Sequence, residues 1–250
     1  MDDLKWCINY LQNINFVKIS YGKNDEENLR ALMNITMCNK LSDEFYEKQN
    51  NVLKNIYKRR NIVDIDDIEC ITENIYLYKG DITNIKCDAI VNACNSRLLG
   101  CTAPLHYCID NAIHSFAGLQ VRRDLMNEMK GRLEPNGRCR VTKGYNLPSK
   151  YIFHTVGPIY DRSKQNEIDL RNCYLSCLKK ADEMKLESIC FCSLSTGVFG
   201  YPINLASEIA INTVREYLNK DNVNIKKVIF NVFSDRDYDV YFKMINEIYK

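Results

Sequence analysis

Cysteine and histidine side chains are concentrated in one short stretch of the sequence. Cys101, His106 and Cys108 fall within eight residues, on a segment that also contains Gly100 and Pro104. Thiolates and an imidazole are good zinc ligands, and a short loop can bring all three onto one ion. Three protein ligands would leave the fourth tetrahedral position open, which is the pattern of a catalytic zinc site rather than a purely structural one.

The same residues also have a simpler interpretation. The chain contains twelve cysteines, and a free cysteine usually behaves as a small buried hydrophobic residue. The spacing matches no common zinc finger and no HExxH pattern. Two of the three histidines nevertheless lie in this stretch, His106 and His114. Spacing alone therefore leaves a zinc site and ordinary core cysteines both open.

Composition limits the classes of protein that the chain can belong to. Its 250 residues are 46% hydrophobic and 10% aromatic, which is typical of a globular protein with a large core. A formal net charge of +2 favours no nucleic-acid partner. The first residues do not resemble a signal peptide, and no apolar run reaches membrane-spanning length, so no membrane partner is expected. Scattered cysteines without a disulfide framework predict a cytoplasmic location.

The chain divides into two regions by the periodicity of its apolar residues. Residues 1–70 contain several short helical stripes and a single glycine, and we predict that they form a helical extension. From Ile75 onwards, strand and helix patterns alternate, with one helix predicted from Asp110 to Glu128 and a last strand at Lys227 to Phe233. This alternation predicts an α/β domain over residues 71–250, with helices covering both faces of a sheet.

Three candidate binding residues follow directly after predicted strands. These are Asp81, Asn92 and Ser195, and ligands of α/β sheets bind outside the carboxyl ends of the strands. The loop from Ser195 to Tyr201 contains two glycines and can turn backbone N–H groups toward an anion. It lacks the lysine of a nucleoside-triphosphate P-loop, so hydrolysis of such a nucleotide is not expected. A diphosphate bound between this loop and the amide-rich loop after Asn92 fits the pattern better.

Five motifs in order give the chain a specific resemblance to the macro domain family. They are Gly80-Asp81-Ile82-Thr83, Val91-Asn92-Ala93-Cys94-Asn95, Asp110-Asn111-Ala112-Ile113-His114, His154-Thr155-Val156-Gly157-Pro158 and Ser195-Thr196-Gly197-Val198-Phe199-Gly200. The resemblance runs from about residue 70 to the C-terminus. It implies a three-layer αβα fold with a mixed central sheet, to which the N-terminal helical extension is added. It also implies ADP-ribose as the ligand.

The resemblance assigns binding roles to residues at matching positions. Asp81 would hold the adenine amino group with Ile82 beside it, and Phe233 would flank the base. Asn92 and Asn95 would line the distal ribose. The backbone N–H groups of one loop would cradle the diphosphate, with Phe199 against the distal ribose. That loop consists of Ser195, Thr196, Gly197, Val198, Phe199, Gly200 and Tyr201.

The segment between Asn95 and Asp110 departs from many family members, which carry a run of glycines there. Its longer insert, together with the segments at Leu29–Met33 and Leu41–Phe45, resembles the zinc-containing branch of the family. That resemblance implies Zn²⁺ on Cys101, His106 and Cys108. It also implies a hydrolase that removes ADP-ribose from modified proteins, with a sirtuin-type ADP-ribosyltransferase as a possible partner of the pathway.

We expect the catalytic groups to be Asn95, Asp110 and His114. Asn95 would fix the ribose, Asp110 would orient water or act as a base, and His114, one helical turn further on, could reach the same site. Two other functions remain open for the same cleft: deacetylation of O-acetyl-ADP-ribose, and binding of ADP-ribose without cleavage by a reader module.

Overall fold

The computed structural model describes residues 2–18, 20–38 and 41–250. Three helices come first: α1 (Asp3–Asn15), α2 (Asp25–Ile35) and α3 (Asp43–Tyr57), and we call these the N-terminal helices. Side-chain oxygens of Asp2, Asn24 and Ser42 accept bonds from backbone N–H groups in the first turns and so define where the helices begin. Among the described residues, no helix is long and apolar enough to cross a bilayer.

Strands and helices then alternate to the end of the chain. The strands are β1 (Val63–Asp64), β2 (Cys70–Thr72), β3 (Ile75–Lys79), β4 (Ile85–Lys86), β5 (Ala89–Ala93), β6 (Cys139–Lys143), β7 (Tyr151–Thr155), β8 (Ser188–Cys192) and β9 (Lys227–Val232). The helices are α4 (Ile109–Ala117), α5 (Gln120–Met129), α6 (Lys164–Glu183), α7 (Ile203–Lys220) and α8 (Asp235–Ile248). Short 3₁₀ turns cover Ile65–Asp67 and Ile82–Asn84.

Seven of these strands form one mixed sheet in the order β2-β3-β9-β8-β5-β7-β6. The five inner strands are parallel, and β2 and β6 are antiparallel at the two edges. Strand β8 is buried at every position, as expected for a central parallel strand between helical layers. The predicted α/β architecture with a mixed sheet and N-terminal helices is confirmed.

One local prediction was wrong, and the edge strands β2 and β6 were not predicted. The helix predicted from Asp110 to Glu128 is broken at Gly118, whose φ of +99° does not fit a helix and whose hydrogen faces the Gln49 side chain of α3. Gln49 Oε1 accepts from Leu119 N at 2.9 Å, so a contact with the N-terminal helices separates α4 from α5.

A small second core joins the N-terminal helices to the main domain. Cys7, Leu11, Leu32 and Phe45 pack together, and Leu119 from the main domain belongs to the same apolar cluster. The helices therefore do not form an isolated bundle. Their apolar faces are completed by the segment between α4 and α5.

The guanidinium of Arg122 is the main polar connection between the two regions. The residue is only 1% exposed. Its Nε donates to Leu99 O at 2.6 Å, and its Nη1 donates to Met33 O at 2.8 Å and to Thr36 O at 2.5 Å. The last two carbonyls lie at the C-terminal end of α2, where the helix dipole favours a cation. Arg122 thus connects α2 to the loop that follows β5.

Replacing Arg122 with Met should lower the free energy of unfolding by about 3 kcal/mol, because three buried carbonyls lose a charged donor. Urea denaturation at neutral pH measures this change. Arg123→Met is the matched control, since the Arg123 side chain is 38% exposed, donates to its neighbour Asp124 and lies over the Tyr46 ring, without bonding a buried carbonyl. A loss in the Arg123 variant as large as that in the Arg122 variant would contradict the assigned role.

Candidate active-site cleft

The sheet places the predicted binding residues in a row along the carboxyl ends of its parallel strands. The carboxyl ends of β3, β9, β8, β5 and β7 lie side by side because these strands are parallel. They are followed by Asp81, Phe233, the loop from Ser195, Asn95 and Gly157, respectively. We call this row of strand ends the cleft edge. A ligand lying along it would meet Asp81 and Phe233 at one end and the Asn95 loop at the other.

A buried polar network lies beneath the β5 end of this edge. Asn92 is fully buried, and its Nδ2 donates to Asp110 Oδ1 at 2.8 Å. The same amide lies 3.3 Å from His154 Nδ1, and His154 Nε2 lies 2.9 Å from Thr142 Oγ1. With Nδ1 as acceptor and Nε2–H as donor to the threonine, both contacts of a neutral His154 are satisfied. Asn92 therefore fixes Asp110 from below instead of facing the cleft with its side chain.

Asp110 and His114 share the first turns of α4 and are both nearly inaccessible. Their relative exposures are 5% and 2%. Burial raises the pKa of the Asp110 carboxyl to about 6, although the Asn92 bond and the Arg122 charge oppose that shift. Burial holds the pKa of His114 well below its ordinary value, and Arg122 adds to this effect. A neutral His114 with Nε2 3.5 Å from Asp110 Oδ1 contacts the carboxylate without forming an ion pair.

Both ring nitrogens of His114 lack a hydrogen-bond partner, and so does Asn92 Oδ1. Unsatisfied buried polar atoms are costly and mark places where a ligand or water can bind. Gly100 packs closely against the His114 ring. A Cβ added to Gly100 would lie only 2.8 Å from the ring Cγ. Its φ of +76° also favours glycine. The loop before α4 is thus packed directly on the Asp110 and His114 pair.

Cys101, His106 and Cys108 converge on one point of that loop, which we call the Cys-His-Cys loop (residues 96–108). Their candidate ligand atoms all lie within 4.8 Å of one another, and Cys101 Sγ lies 3.5 Å from His106 Nδ1. Metal–ligand distances of about 2.3 Å for sulfur and 2.0–2.1 Å for nitrogen place tetrahedral ligand atoms under about 4 Å apart. The donor set therefore fits a zinc ion, and the most distant ligand atoms would need to approach each other by about 1 Å to coordinate it.

Cys108 also begins α4. Its Sγ accepts from Asn111 N at 3.5 Å as the N-cap of the helix. Burial raises the pKa of the Cys108 thiol to about 12, and the neighbouring Cys101 adds to the rise. A bound cation and the helix N-terminus are the two features that favour a thiolate here. Two residues further on lies Asp110, so the candidate metal site and the buried carboxylate are connected through the same helical turn.

Asn95 is half-buried at the start of the Cys-His-Cys loop. Its Oδ1 accepts from Arg97 N at 3.0 Å, and its Nδ2 donates weakly to Gly100 O at 3.4 Å. These bonds hold the amide within the loop next to the end of β5. The amide is consequently placed where it can contact a ligand that lies along the cleft edge.

The loop after β8 has the geometry of an anion cradle. Ser195 and Gly200 have φ values of +64° and +68°, and Tyr201 N donates back to Ser195 O at 3.0 Å. Within the described parts of the chain, no acceptor bonds the backbone N–H groups of Gly197, Val198 and Phe199. Gly197 and Val198 are exposed. These N–H groups are therefore free to bind an anionic ligand.

Three of the predicted binding residues have side chains that face the protein interior or bond within their own loop. Ile82 is 4% exposed and belongs to the main core. Ser195 is also buried, and its Oγ lies against the α-carbon of Gly157. Thr196 Oγ1 donates to Ser193 O at 3.0 Å. At these positions the backbone, not the side chain, is available to a ligand.

Sequence reasoning missed the cation beside Asp81. Arg60, just after α3, donates from Nη2 to Asp81 Oδ2 at 2.6 Å, and its guanidinium lies 3.9 Å from the centre of the Phe116 ring. Asp81 Oδ1 accepts from Thr83 N and Thr83 Oγ1. The carboxylate is thus held rigidly while remaining 35% exposed in its side chain. No motif around Arg60 indicates this contact.

Tyr107 is a second residue that the motifs did not identify. It lies between His106 and Cys108, is 83% exposed, and packs edge-to-face on Phe233 with ring centres 5.8 Å apart. Phe233 is itself 63% exposed. The contact connects the Cys-His-Cys loop to the end of β9, across the cleft edge.

Comparisons with known proteins agree with this fold and cleft. The family model described as Macro domain matches residues 91–210. The chain is 47% identical over 223 residues to a Staphylococcus aureus protein-ADP-ribose hydrolase, covering 87% of this chain and 83% of that protein. It is 41% identical over 256 residues to a protein-ADP-ribose hydrolase of Treponema medium, covering 96% and 97%.

Among solved structures, a Trypanosoma brucei macrodomain in complex with ADP-ribose is similar in fold. Its TM-score is 0.68 at 32% identity, and the match covers 84% of this chain and 93% of that one. These relatives match most of the chain, and its parallel strand ends and glycine-containing anion loop agree with them. The chain belongs to the macro domain family.

The structural role of His154 can be tested through the pH dependence of stability. Burial lowers the pKa of His154 to about 3 from its ordinary value of 6.5. The folded protein therefore keeps this ring neutral, whereas the unfolded chain protonates it below pH 6.5, so acid favours unfolding. From pH 6.5 down to about 3, His154 should remove about 1.4 kcal/mol of stability per pH unit.

In His154→Gln, the free energy of unfolding should therefore fall by about 1.4 kcal/mol less per pH unit than in the parent, between pH 6.5 and about 3. Urea unfolding at several pH values, with a chelator present so that metal release does not contribute, measures both slopes. Equal slopes in the two proteins would show that His154 is not held neutral.

Proposed function

We propose that the chain is a hydrolase that releases ADP-ribose from modified side chains of proteins. The observation that carries this proposal is the Asp110 carboxylate, which is buried, fixed by Asn92 and located beside the Cys-His-Cys loop at the cleft edge. A module that only bound ADP-ribose would not need a buried carboxylate fixed beside the candidate metal ligands at that point. The relatives at 41–47% identity are named protein-ADP-ribose hydrolases, which supports the same reaction class.

The order of groups along the cleft supports a binding orientation for ADP-ribose. Asp81 would accept from the adenine amino group, and the exposed ring of Phe233 would flank the base. The free N–H groups of the loop after β8 would cradle the diphosphate, with Phe199 near the distal ribose. Asn95 would hydrogen-bond that ribose, and the anomeric carbon would then lie next to Asp110 and the Cys-His-Cys loop.

We further propose that Cys101, His106 and Cys108 hold a zinc ion, which fits their donor atoms and spacing. When bound, the ion supplies Lewis-acid polarisation of an oxygen at the reacting centre. The open coordination position of a three-ligand site distinguishes this proposal from a zinc that merely stabilises the loop.

The protein groups then have defined tasks. Asn95 orients the distal ribose and so holds the anomeric carbon in place. Asp110 orients the attacking water or accepts its proton as the water oxygen bonds to the anomeric carbon and the bond to the acceptor oxygen breaks. For an ester on an acidic side chain, the leaving group is a carboxylate and needs no proton. His114 is neutral, and its unpartnered ring nitrogens leave it able to bind the same water.

Two further features of the proposal concern the cell compartment and the enzyme that makes the substrate. All twelve cysteines are free, which supports a reducing compartment such as the cytoplasm. The resemblance of the Cys-His-Cys insert to the zinc-containing branch supports a sirtuin-type ADP-ribosyltransferase as the enzyme whose product is removed. O-acetyl-ADP-ribose would occupy the same cleft and is the appropriate second substrate to assay.

Metal dependence gives the first functional prediction. Release of ADP-ribose from a protein modified on acidic side chains should stop in a strong zinc chelator and return when zinc is added back. Release can be followed by loss of the label from the modified protein, and binding of free ADP-ribose by calorimetry. Release that persists after the metal has been removed completely would refute the catalytic zinc, whereas binding without any release would indicate a reader module.

Asp110→Asn should reduce turnover by about 10²-fold or more while ADP-ribose affinity changes little, because the amide keeps the bond from Asn92 but cannot take a proton. Single-turnover release and calorimetric binding separate the two effects. Asp221→Asn serves as the matched control, since Asp221 is an exposed residue at the C-terminal end of α7, at the opposite edge of the sheet. Unchanged turnover in the Asp110 variant would exclude this residue from catalysis.

A further inference from the structure

We propose that Asn34, on helix α2, is a positioning residue of the metal site, so that the N-terminal helices form part of that site. The inference rests on the metal site proposed above. It adds a residue that lies 67 positions before the first candidate ligand and outside every motif of the sequence. Asn34 does not contact the ligand atoms, and it acts through the backbone of the Cys-His-Cys loop.

The central contact is a hydrogen bond to the residue before His106. Asn34 Oδ1 accepts from Leu105 N at 3.0 Å, and Asn34 is only 1% exposed. Leu105 has a φ of +55°, a left-handed conformation that is unfavourable for a branched side chain. Such a conformation persists only where the surroundings hold it. The bond from Asn34 is therefore well placed to keep the turn that directs His106 toward the two cysteines.

The other bond of Asn34 anchors it independently of the loop. Asn34 Nδ2 donates to Ser115 Oγ at 3.0 Å, and Ser115 lies on α4. The amide thus bridges the helix that starts at Cys108 and the turn that carries His106. This bridge sets the separation between the two parts of the candidate ligand set.

A second connection from α2 supports the same loop. Arg30 donates from Nη2 to Asn111 Oδ1 at 2.8 Å, and Asn111 Nδ2 donates to Ala103 O at 3.0 Å. Ala103 O in turn accepts from His106 N at 3.2 Å. The Leu105 side chain also lies near Gly22, in the segment before α2. Residues of the N-terminal region consequently contact the Cys-His-Cys loop directly at Leu105 and, through Asn111, at Ala103.

Outer groups that orient metal ligands contribute strongly to affinity, and their removal weakens binding by about 10- to 100-fold. We expect Asn34→Ala to weaken binding of cobalt(II), used as a spectroscopic probe for zinc, by that amount. The full-length apo-protein would be titrated in competition with a chelator. Thiolate-to-cobalt charge-transfer absorption reports on coordination by the two cysteines, a signal that a loss of global stability alone does not alter.

Two further variants separate the Leu105 bond from general packing. Ser115→Ala removes the partner of Asn34 Nδ2 together with the bond from Ser115 Oγ to Asn111 O at 2.6 Å, but it leaves the Leu105 bond intact. Asn34→Asp retains an acceptor for Leu105 N. Both should bind cobalt within about threefold of the parent. Urea unfolding of each apo-variant shows whether it is folded. If Asn34→Ala does not fold, Asn34→Asp keeps the inference falsifiable, because a loss of about 10- to 100-fold in cobalt affinity in that variant would overturn it.

Three results would overturn the inference. Parent-like cobalt affinity in Asn34→Ala would show that Asn34 does not position the site. An equal loss in Ser115→Ala would assign the effect to packing between α2 and α4, and an equal loss in Asn34→Asp would exclude the bond to Leu105. A parent protein that binds no cobalt would refute the metal site together with this inference, while the hydrolase assay would still report on catalysis separately.

Discussion

The buried guanidinium of Arg122 is the interaction on which the arrangement of the cleft most depends. A buried cation requires acceptors, and this one finds them in the carbonyls at the end of α2 and in Leu99 O. Leu99 directly precedes Gly100, which rests on His114. Arg122 therefore holds the N-terminal helices against the main domain and fixes Leu99 near the start of the Cys-His-Cys loop. It also places a positive charge near Asp110.

Burial, hydrogen bonding and backbone conformation act together around Asp110. Removal from water raises the pKa of the carboxyl, and the bond from Asn92 stabilises its charged form without cancelling the effect. His154 remains neutral at the base of the network and orients the Asn92 amide. The rigid foundation lies in the sheet, whereas the groups that would meet a ligand lie on loops, as is common in α/β enzymes.

The N-terminal helices reach both ends of the cleft edge. At one end Arg60 pairs with Asp81 and stacks on Phe116 of α4, and at the other Asn34 bonds the turn at Leu105. Helix α4, which carries Asp110, lies between these contacts. Changes in the packing of the N-terminal helices would therefore be transmitted to Asp81 and to the candidate metal ligands together.

The sequence by itself determined the α/β class, the order of the five motifs along the sheet edge and the Cys-His-Cys spacing. These depend on periodicity and on residues that are close in the chain, where local rules apply. The break at Gly118, the edge strand β6, the burial of Asn92 and the contacts of Arg60, Arg122 and Asn34 were decided only by the tertiary structure. Asn34 and Leu105 are 71 residues apart, and so are Gln49 and Gln120. Such pairs form because helices pack on a common core, and no local pattern specifies which side chains then meet.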